Sequence, residues 1–311
     1  CTMSHAKAIS EILSYYEADN PGTKANIARI LNTGRLGGTG KLVILPVDQG
    51  FEHGPVRSFS YNDLAFDPTY FYELALEAGC NAYAAPLGLL ENSAAEYAGL
   101  LPLILKMNSA NSLAPGGLAP DQAVTGSVED ALRLGCSAVG LTIYPGSGKA
   151  NDMIEEAREA AAEAKKAGLA VVIWSYPRGG DLSKDGETAI DVVSYGAHMA
   201  ALLGAHIIKV KLPTAHVEQK KPQQAYDDND VTLEPLSRRV GLIKQACFNG
   251  RRLVVFSGGS AKGADGVYED ARAIRDGGGN GTIIGRNSFQ RPKDEAVDML
   301  TKIMRIYGND E

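Results

Sequence analysis

Cysteine is scarce in this chain. Apart from Cys1, the 311 residues hold Cys80, Cys136 and Cys247, with no CxxC spacing. An odd set without motif spacing excludes a disulfide framework or a zinc ribbon and predicts reduced core thiols. Histidine is nearly as sparse. His5, His53, His198, His206 and His216 form no HExxH pair and no cluster, so neither a metal centre nor another cofactor is expected, and carbonyl chemistry would need a different electrophile. Positive charge is not in excess either: 31 Lys and Arg stand against 37 Asp and Glu, a net charge of −6. That balance argues against nucleic acid as a partner, although a local cationic pocket for an anionic metabolite stays open. No apolar run reaches the length of a membrane span and no secretory signal opens the chain, so no membrane partner and a cytoplasmic location are expected. Cys1 and Thr2, ahead of Met3, are expected to be additions and are left aside.

What is present is an ordinary globular composition, 44% hydrophobic and 22% charged, arranged with a strong rhythm. Eight short apolar runs recur: Leu42–Asp48, Asn81–Pro86, Leu103–Asn108, Ala138–Tyr144, Leu169–Tyr176, His206–Lys211, Arg252–Gly259 and Gly281–Phe289. Between them lie stretches with helix signals: Pro68 ahead of Thr69–Ala78, Ser127–Leu134, Asn151–Ala167, Ala189–Leu203 and Asp265–Asp276. Glycine stops precede four of the runs, at Gly79, Gly135, Gly168 and Gly204. Eight strand–helix units predict an α/β fold, a (β/α)8 TIM barrel in one catalytic domain over 41–311. Residues 1–40 are expected to be an N-terminal helical extension, with helices over Ser4–Tyr16 and Lys24–Leu31 capping the bottom of the barrel. The GRLGGTG segment at 34–40 leads into a strand and is read as a loop, not a phosphate cradle. Thr214–Pro235 is long and polar, a candidate lid or oligomer contact.

Barrel chemistry sits at the C-terminal ends of the strands, so those residues carry the functional reading. In strand six, HIIKVK, alternation puts Ile207, Lys209 and Lys211 on one face. If that face points inward, burial and like charge lower a lysine pKa and free an amine to attack a carbonyl; the alternative is that one or both snorkel to solvent. Strand five places Trp174 and Tyr176 on one face, where a phenol beside lysines is expected to have a lowered pKa and to move protons. Arg178, just beyond, could clamp an anion; otherwise these are core aromatics and a surface arginine. Asp48 ends strand one as a carboxylate able to pair with a lysine and handle hydroxyl protons. Lys106 in strand three is either a structural ion pair with such an acid or a direct participant. FSGGSAKG after strand seven and IIGRNSF after strand eight are placed where such barrels bind phosphate, with tight turns as the alternative.

Taken together, VDQGFEHGP (47–55), WSYPRGG (174–180), IIKVK (207–211), FSGGSAKG (256–263) and IIGRNSFQRP (283–292) resemble the archaeal and bacterial class I fructose-bisphosphate aldolases, in order and at fitting spacing, from about residue 24 onward. The resemblance implies a metal-independent Schiff-base aldolase acting on a phosphosugar, usually as a homo-oligomer. By position, Lys209 would be the Schiff-base lysine, Tyr176 the proton-transfer residue and Asp48 the assisting carboxylate. Trp174, Arg178, Lys106 and Lys211 would contact substrate, Arg178 at the second phosphate. Ser257, Gly258, Gly259, Gly285 and Arg286 would hold the phosphate on the dihydroxyacetone side. The rivals are a related Schiff-base barrel (aminodeoxyheptulosonate synthesis or phosphosugar acyl transfer), a metal-dependent aldolase, and a phosphosugar-binding barrel without activity. The carboxylates of the 214–235 segment match no family role.

Overall fold

Eight parallel strands close on themselves in a computed structural model that describes residues 2–258 and 263–310. They are β1 Leu42–Pro46, β2 Ala82–Ala85, β3 Leu103–Lys106, β4 Ala138–Ile143, β5 Ala170–Ser175, β6 Ile207–Lys211, β7 Leu253–Ser257 and β8 Gly281–Ile283. Each expected run contains one of them, and β8 pairs with both β7 and β1 to complete the ring. The eighth run was expected to extend to Phe289. It stops early because the chain turns at Gly285 into the short helix Arg286–Phe289.

Pleating divides the strand side chains into two cores. Ile44, Val172, Trp174, Ile207 and Val255 point into the barrel, while Leu45, Val171, Ile173, Ile208 and Val210 face the surrounding helices. The helices begin and end where local chemistry allows. Asp67 accepts the Thr69 N–H at 2.9 Å with Pro68 at the first helical position, and Ser127 forms a capping box with Asp130. Gly79, Gly135, Gly168 and Gly204 take φ of 80, 68, 81 and 92°, the left-handed stop that a side chain disfavours. Cys80, Cys136 and Cys247 are free and buried. A two-stranded antiparallel ladder, Asn108–Ser109 with Ala123–Val124, was not expected; it anchors the loop that follows β3. The 214–235 segment contains the helix Lys220–Asp228.

Two helices precede β1: α1, Thr2–Ser14, and α2, Pro21–Asn32. Ile9, Ile12, Tyr16, Ile27, Ile30 and Leu31 share one apolar cluster with the inward residues at the N-terminal ends of the strands. The N-terminal end of the barrel is therefore sealed. The seal is also polar at one point. The Tyr16 hydroxyl donates to the His206 carbonyl at 2.7 Å, the Val171 N–H donates to His206 Nδ1 at 2.8 Å, and His206 Nε2 lies 2.9 Å from Asp19. Because Nδ1 accepts, the proton must sit on Nε2 and the ring is neutral. Burial pushes the His206 pKa down, against the pull of Asp19.

Candidate active site

At the opposite end, the strand termini surround a cavity of about 530 Å³. Its floor and walls include Asp48 after β1, Tyr176 and Arg178 after β5, Lys209 and Lys211 from β6, Ser257 and Gly258 at the end of β7, and Gly285 and Arg286 after β8. The period-two pleat brings these together from separate parts of the chain. Register sets their heights: Trp174 pairs with Lys209, Lys209 with Val255, and Lys211 with Ser257.

Lys209 is 4% exposed, and its ammonium lies over the rings of Trp174 and Tyr176, 5.3 and 5.5 Å from their centroids. Its pKa is pulled down to about 8, first by burial, with Lys106 and Arg286 adding like-charge repulsion against the opposing pull of Asp48 and Glu52. The snorkelling alternative therefore fails for Lys209. Lys106 is also buried, lowered to about 8 by burial, with its ammonium 5.6 Å from the Trp174 centroid. It donates to the Asn108 side-chain oxygen at 3.2 Å and to the Asn108 carbonyl. No ion pair joins it to Asp48 among the described residues, so the structural-pair alternative is not what holds it.

Trp174 does not line the main cavity as expected. It is 1% exposed and forms the layer beneath, with the two lysines above its ring. Space for it comes from β4: a Cβ on Gly140 would come within 2.2 Å of the indole. Lys106 likewise sits outside that cavity, in a narrow polar chamber beside it bounded by Asp48, Glu52, Gln122, Thr142, Tyr144 and Tyr176. Gly259 lies outside the described residues.

The expectation for the Tyr176 phenol is reversed. Burial pushes its pKa well above the ordinary value, and Asp48 adds to this; a hydrogen bond with Ser257 and the charge of Arg178 only partly oppose it. Desolvation wins over neighbouring cations, so Tyr176 is a neutral proton donor rather than a ready base. Asp48 is left as the carboxylate facing the same space, close enough to act electrostatically on Lys209, Lys106 and Tyr176.

The two sides of the cavity are cationic. On one, Gly285 lets the backbone pass within reach of β1: a Cβ there would meet the Pro46 carbonyl at 2.6 Å. Arg286 follows it, and Gly258 packs against Asn287. On the other, Arg178 pairs with Glu52 at 3.3 Å and covers the Tyr144 ring at 4.6 Å. Lys211 faces Glu187 at 3.7 Å. Thr188 and Thr214 close that side, joined by the Thr214 N–H donating to the Thr188 carbonyl at 2.8 Å. Glu52, Gln49, Thr188, Thr214 and Asn287 were missed from the sequence. Glu52 lies inside VDQGFEHGP, four residues past Asp48 and about one helical turn along, and could have been found there; the threonines had no signal. Among the described residues, no group of three or more His, Cys, Asp or Glu is arranged to hold a metal ion.

Comparison with known proteins agrees with this geometry. Residues 42–291 match the model of the DeoC/LacD family aldolases. Class 1 fructose-bisphosphate aldolase of Thermoproteus tenax is 36% identical over 81% of this chain and 84% of its own length. Its Halobacterium salinarum counterpart is 34% identical over 81% and 85%. A solved archaeal fructose-1,6-bisphosphate aldolase, with its catalytic lysine bound to the carbinolamine intermediate, superposes with a TM-score of 0.75 at 31% identity. That match covers 91% of this chain and 98% of the solved one.

Proposed function

The chain belongs to the DeoC/LacD family of aldolases, and from that premise we propose that it is a class I aldolase. It cleaves fructose 1,6-bisphosphate reversibly to dihydroxyacetone phosphate and glyceraldehyde 3-phosphate, with Lys209 as the Schiff-base residue. The observation that carries the assignment is a buried, inward lysine with its pKa drawn down to about 8, beside a neutral phenol and a carboxylate under an open cavity.

The chemistry follows from these positions. Gly258, Gly285 and Arg286, with Ser257 and Gly259, hold the phosphate nearest the ketone, while Arg178 and Lys211 meet the other. Fixing both ends presents C2 to the amine, and orientation of this kind contributes on the order of 7–11 kcal/mol to lowering the barrier. Neutral Lys209 adds to C2, and the carbinolamine loses water to give an iminium ion, the electron sink for the next step. Asp48 takes the C4 hydroxyl proton, the C3–C4 bond breaks, and its electron pair passes into the iminium to give an enamine. Glyceraldehyde 3-phosphate leaves. Tyr176 delivers a proton to C3, the proton held on Asp48 returns to the phenolate, and water hydrolyses the iminium, releasing dihydroxyacetone phosphate and the free amine. The lysine bed of Trp174 and Lys106 stays beneath the reacting atoms and keeps the amine poised to lose its proton.

Borohydride reduction in the presence of dihydroxyacetone phosphate, followed by peptide mass analysis, tests the assignment. A reduced adduct on Lys209 is expected; capture at Lys211 alone, or turnover without any adduct, overturns it. The proposal includes a role in hexose bisphosphate breakdown and synthesis (glycolysis and gluconeogenesis), a cytoplasmic location and a homo-oligomer. Association is supported by Phe51, Val56, Tyr61, Leu64 and Phe66, exposed apolar residues gathered on one segment, and light scattering in solution tests it. Among the described residues, no helix is long and apolar enough to cross a membrane.

A further inference from the structure

One carboxylate of the polar segment after β6 has no part in the mechanism above, although it is firmly held. Glu218 lies outside the cavity, yet its side chain reaches across to the loop that follows β5. Oε1 accepts the Ser183 N–H at 2.8 Å, and Oε2 accepts the Ser183 hydroxyl at 2.8 Å and faces His216 Nε2 at 2.8 Å. These donors, the Ser183 N–H first, draw the Glu218 pKa down to about 2, so the group is ionised throughout the neutral range.

The backbone beneath that side chain is fixed from the same quarter. Asp191, buried in the first turn of the helix Ile190–Leu202, accepts the N–H groups of Glu218 and Gln219 at 2.9 and 3.0 Å. Ser183 in turn takes the Gly186 N–H on its hydroxyl at 2.9 Å, at the start of the 3-10 turn Gly186–Thr188. That turn presses on the carboxylate: a Cβ at Gly186 would find its three nearest atoms, 2.5 to 2.8 Å away, all in the Glu218 carboxyl group. Gly186 does not take the left-handed conformation, so its missing side chain answers to space and not to the backbone.

The same turn carries one edge of the active site. Thr188 lines the cavity, and Glu187 stands 3.7 Å from the Lys211 ammonium. A lysine is a point charge on a flexible stem, so a fixed counter-ion is what aims it. Inside the Glu218 contact the two loops meet along a short seam, where Ala189 bridges Thr214 and the Ile190 N–H donates to the His216 carbonyl at 3.0 Å. We infer that Glu218 is a positioning residue: its carboxylate fastens the loop after β5 to the loop after β6 and thereby holds Thr188 and Lys211 at the phosphate farther from the ketone. The inference rests on the Schiff-base reading and deepens it. Glu218 touches no substrate; it acts through the turn that Ser183 and Gly186 begin.

Two readouts on the full-length enzyme separate the halves of the site. Cleavage of fructose 1,6-bisphosphate needs both phosphates held, whereas borohydride trapping of dihydroxyacetone phosphate needs only Lys209 and the phosphate nearest the ketone. Glu218→Ala is expected to lower kcat/KM for cleavage by at least about tenfold, the scale of a lost orientation, and to change the trapping rate by less than about twofold. Gly186→Ala should reproduce that loss by driving the carboxylate out, and should add nothing in the Glu218→Ala background, where the space is empty. Because it leaves every native side chain in place, Gly186→Ala carries both readouts should Glu218→Ala fail to fold. Equal loss of cleavage and trapping, loss of neither, or a Gly186→Ala effect undiminished without Glu218 overturns the inference. Absence of trapping in the native enzyme overturns the Schiff-base reading, and the inference falls with it.

Discussion

Besides Lys106, two further lysines, Lys209 and Lys244, have pKa values drawn down by burial to about 8. One faces the open cavity. The other is at the sealed end, on the helix Leu236–Ala246, donating to the Gly250 and Arg252 carbonyls at 3.3 and 2.8 Å and to Asn280 Oδ1 at 2.6 Å. Desolvation alone therefore does not make a nucleophile. Lys244 has its N–H groups committed to acceptors that tie the chain ends of β7 and β8 together. Lys209 has aromatic faces for neighbours and a space above it where a carbonyl carbon fits. Chemistry needs the empty volume beside the amine as well as its lowered pKa.

Exchanging each lysine for methionine should separate the two roles most sharply. Lys209→Met is expected to reduce kcat by at least about 10⁴-fold, the scale seen when an enzyme loses its nucleophile, and to raise thermal stability because a buried, poorly paired charge is gone. Loss of activity together with lower stability in a melting experiment would count against the description of Lys209 as a strained buried cation. Tyr176→Phe keeps the ring and removes the proton, so kcat should fall by roughly 10²–10⁴ while borohydride capture persists. Full turnover in that variant would take Tyr176 out of the mechanism. Lys244→Met should leave kcat unchanged and lower unfolding free energy by about 2–3 kcal/mol, since it strands buried acceptors; chemical denaturation measures this.

pH gives a finer probe. The rate of adduct formation should rise with pH and level off above about 8, the value to which Lys209 is lowered. Lys106→Met removes a cation that disfavours the charged form of Lys209 and should move that midpoint upward; an unmoved midpoint would mean the two lysines do not interact. At the sealed end the titrating group is His206, lowered in the fold from 6.5 by burial. Below that value the unfolded chain binds a proton that the native ring resists, so stability should decline as pH falls through about 6.5 and below. His206→Asn should flatten that part of the profile without changing kcat at neutral pH.

Much of this was written in the sequence. Alternation in HIIKVK fixed which residues share the Lys209 face, and the glycine stops announced the turns where the strands begin. What could not be read was competition between effects. Lysines near Tyr176 suggested a lowered phenol pKa, yet the phenol is buried and desolvation outweighs them. Trp174 was expected against substrate, but Gly140 on the neighbouring strand supplies a recess that draws the indole down a layer. Thr188 and Thr214 reach the site because two loops are zipped together, a pairing that neither loop's composition reveals. Sequence patterns give facing and order; depth and partnership come only from packing.

The plug formed by α1 and α2 has a kinetic corollary. With the rear of the barrel filled by Ile27, Ile30 and Leu31, the described residues leave sugar and products to pass by the mouth at the C-terminal ends of the strands. Whatever enters last obstructs whatever entered first. Traffic is thereby ordered by shape: the triose released from the outer half must clear the passage before the one still attached to the amine can follow.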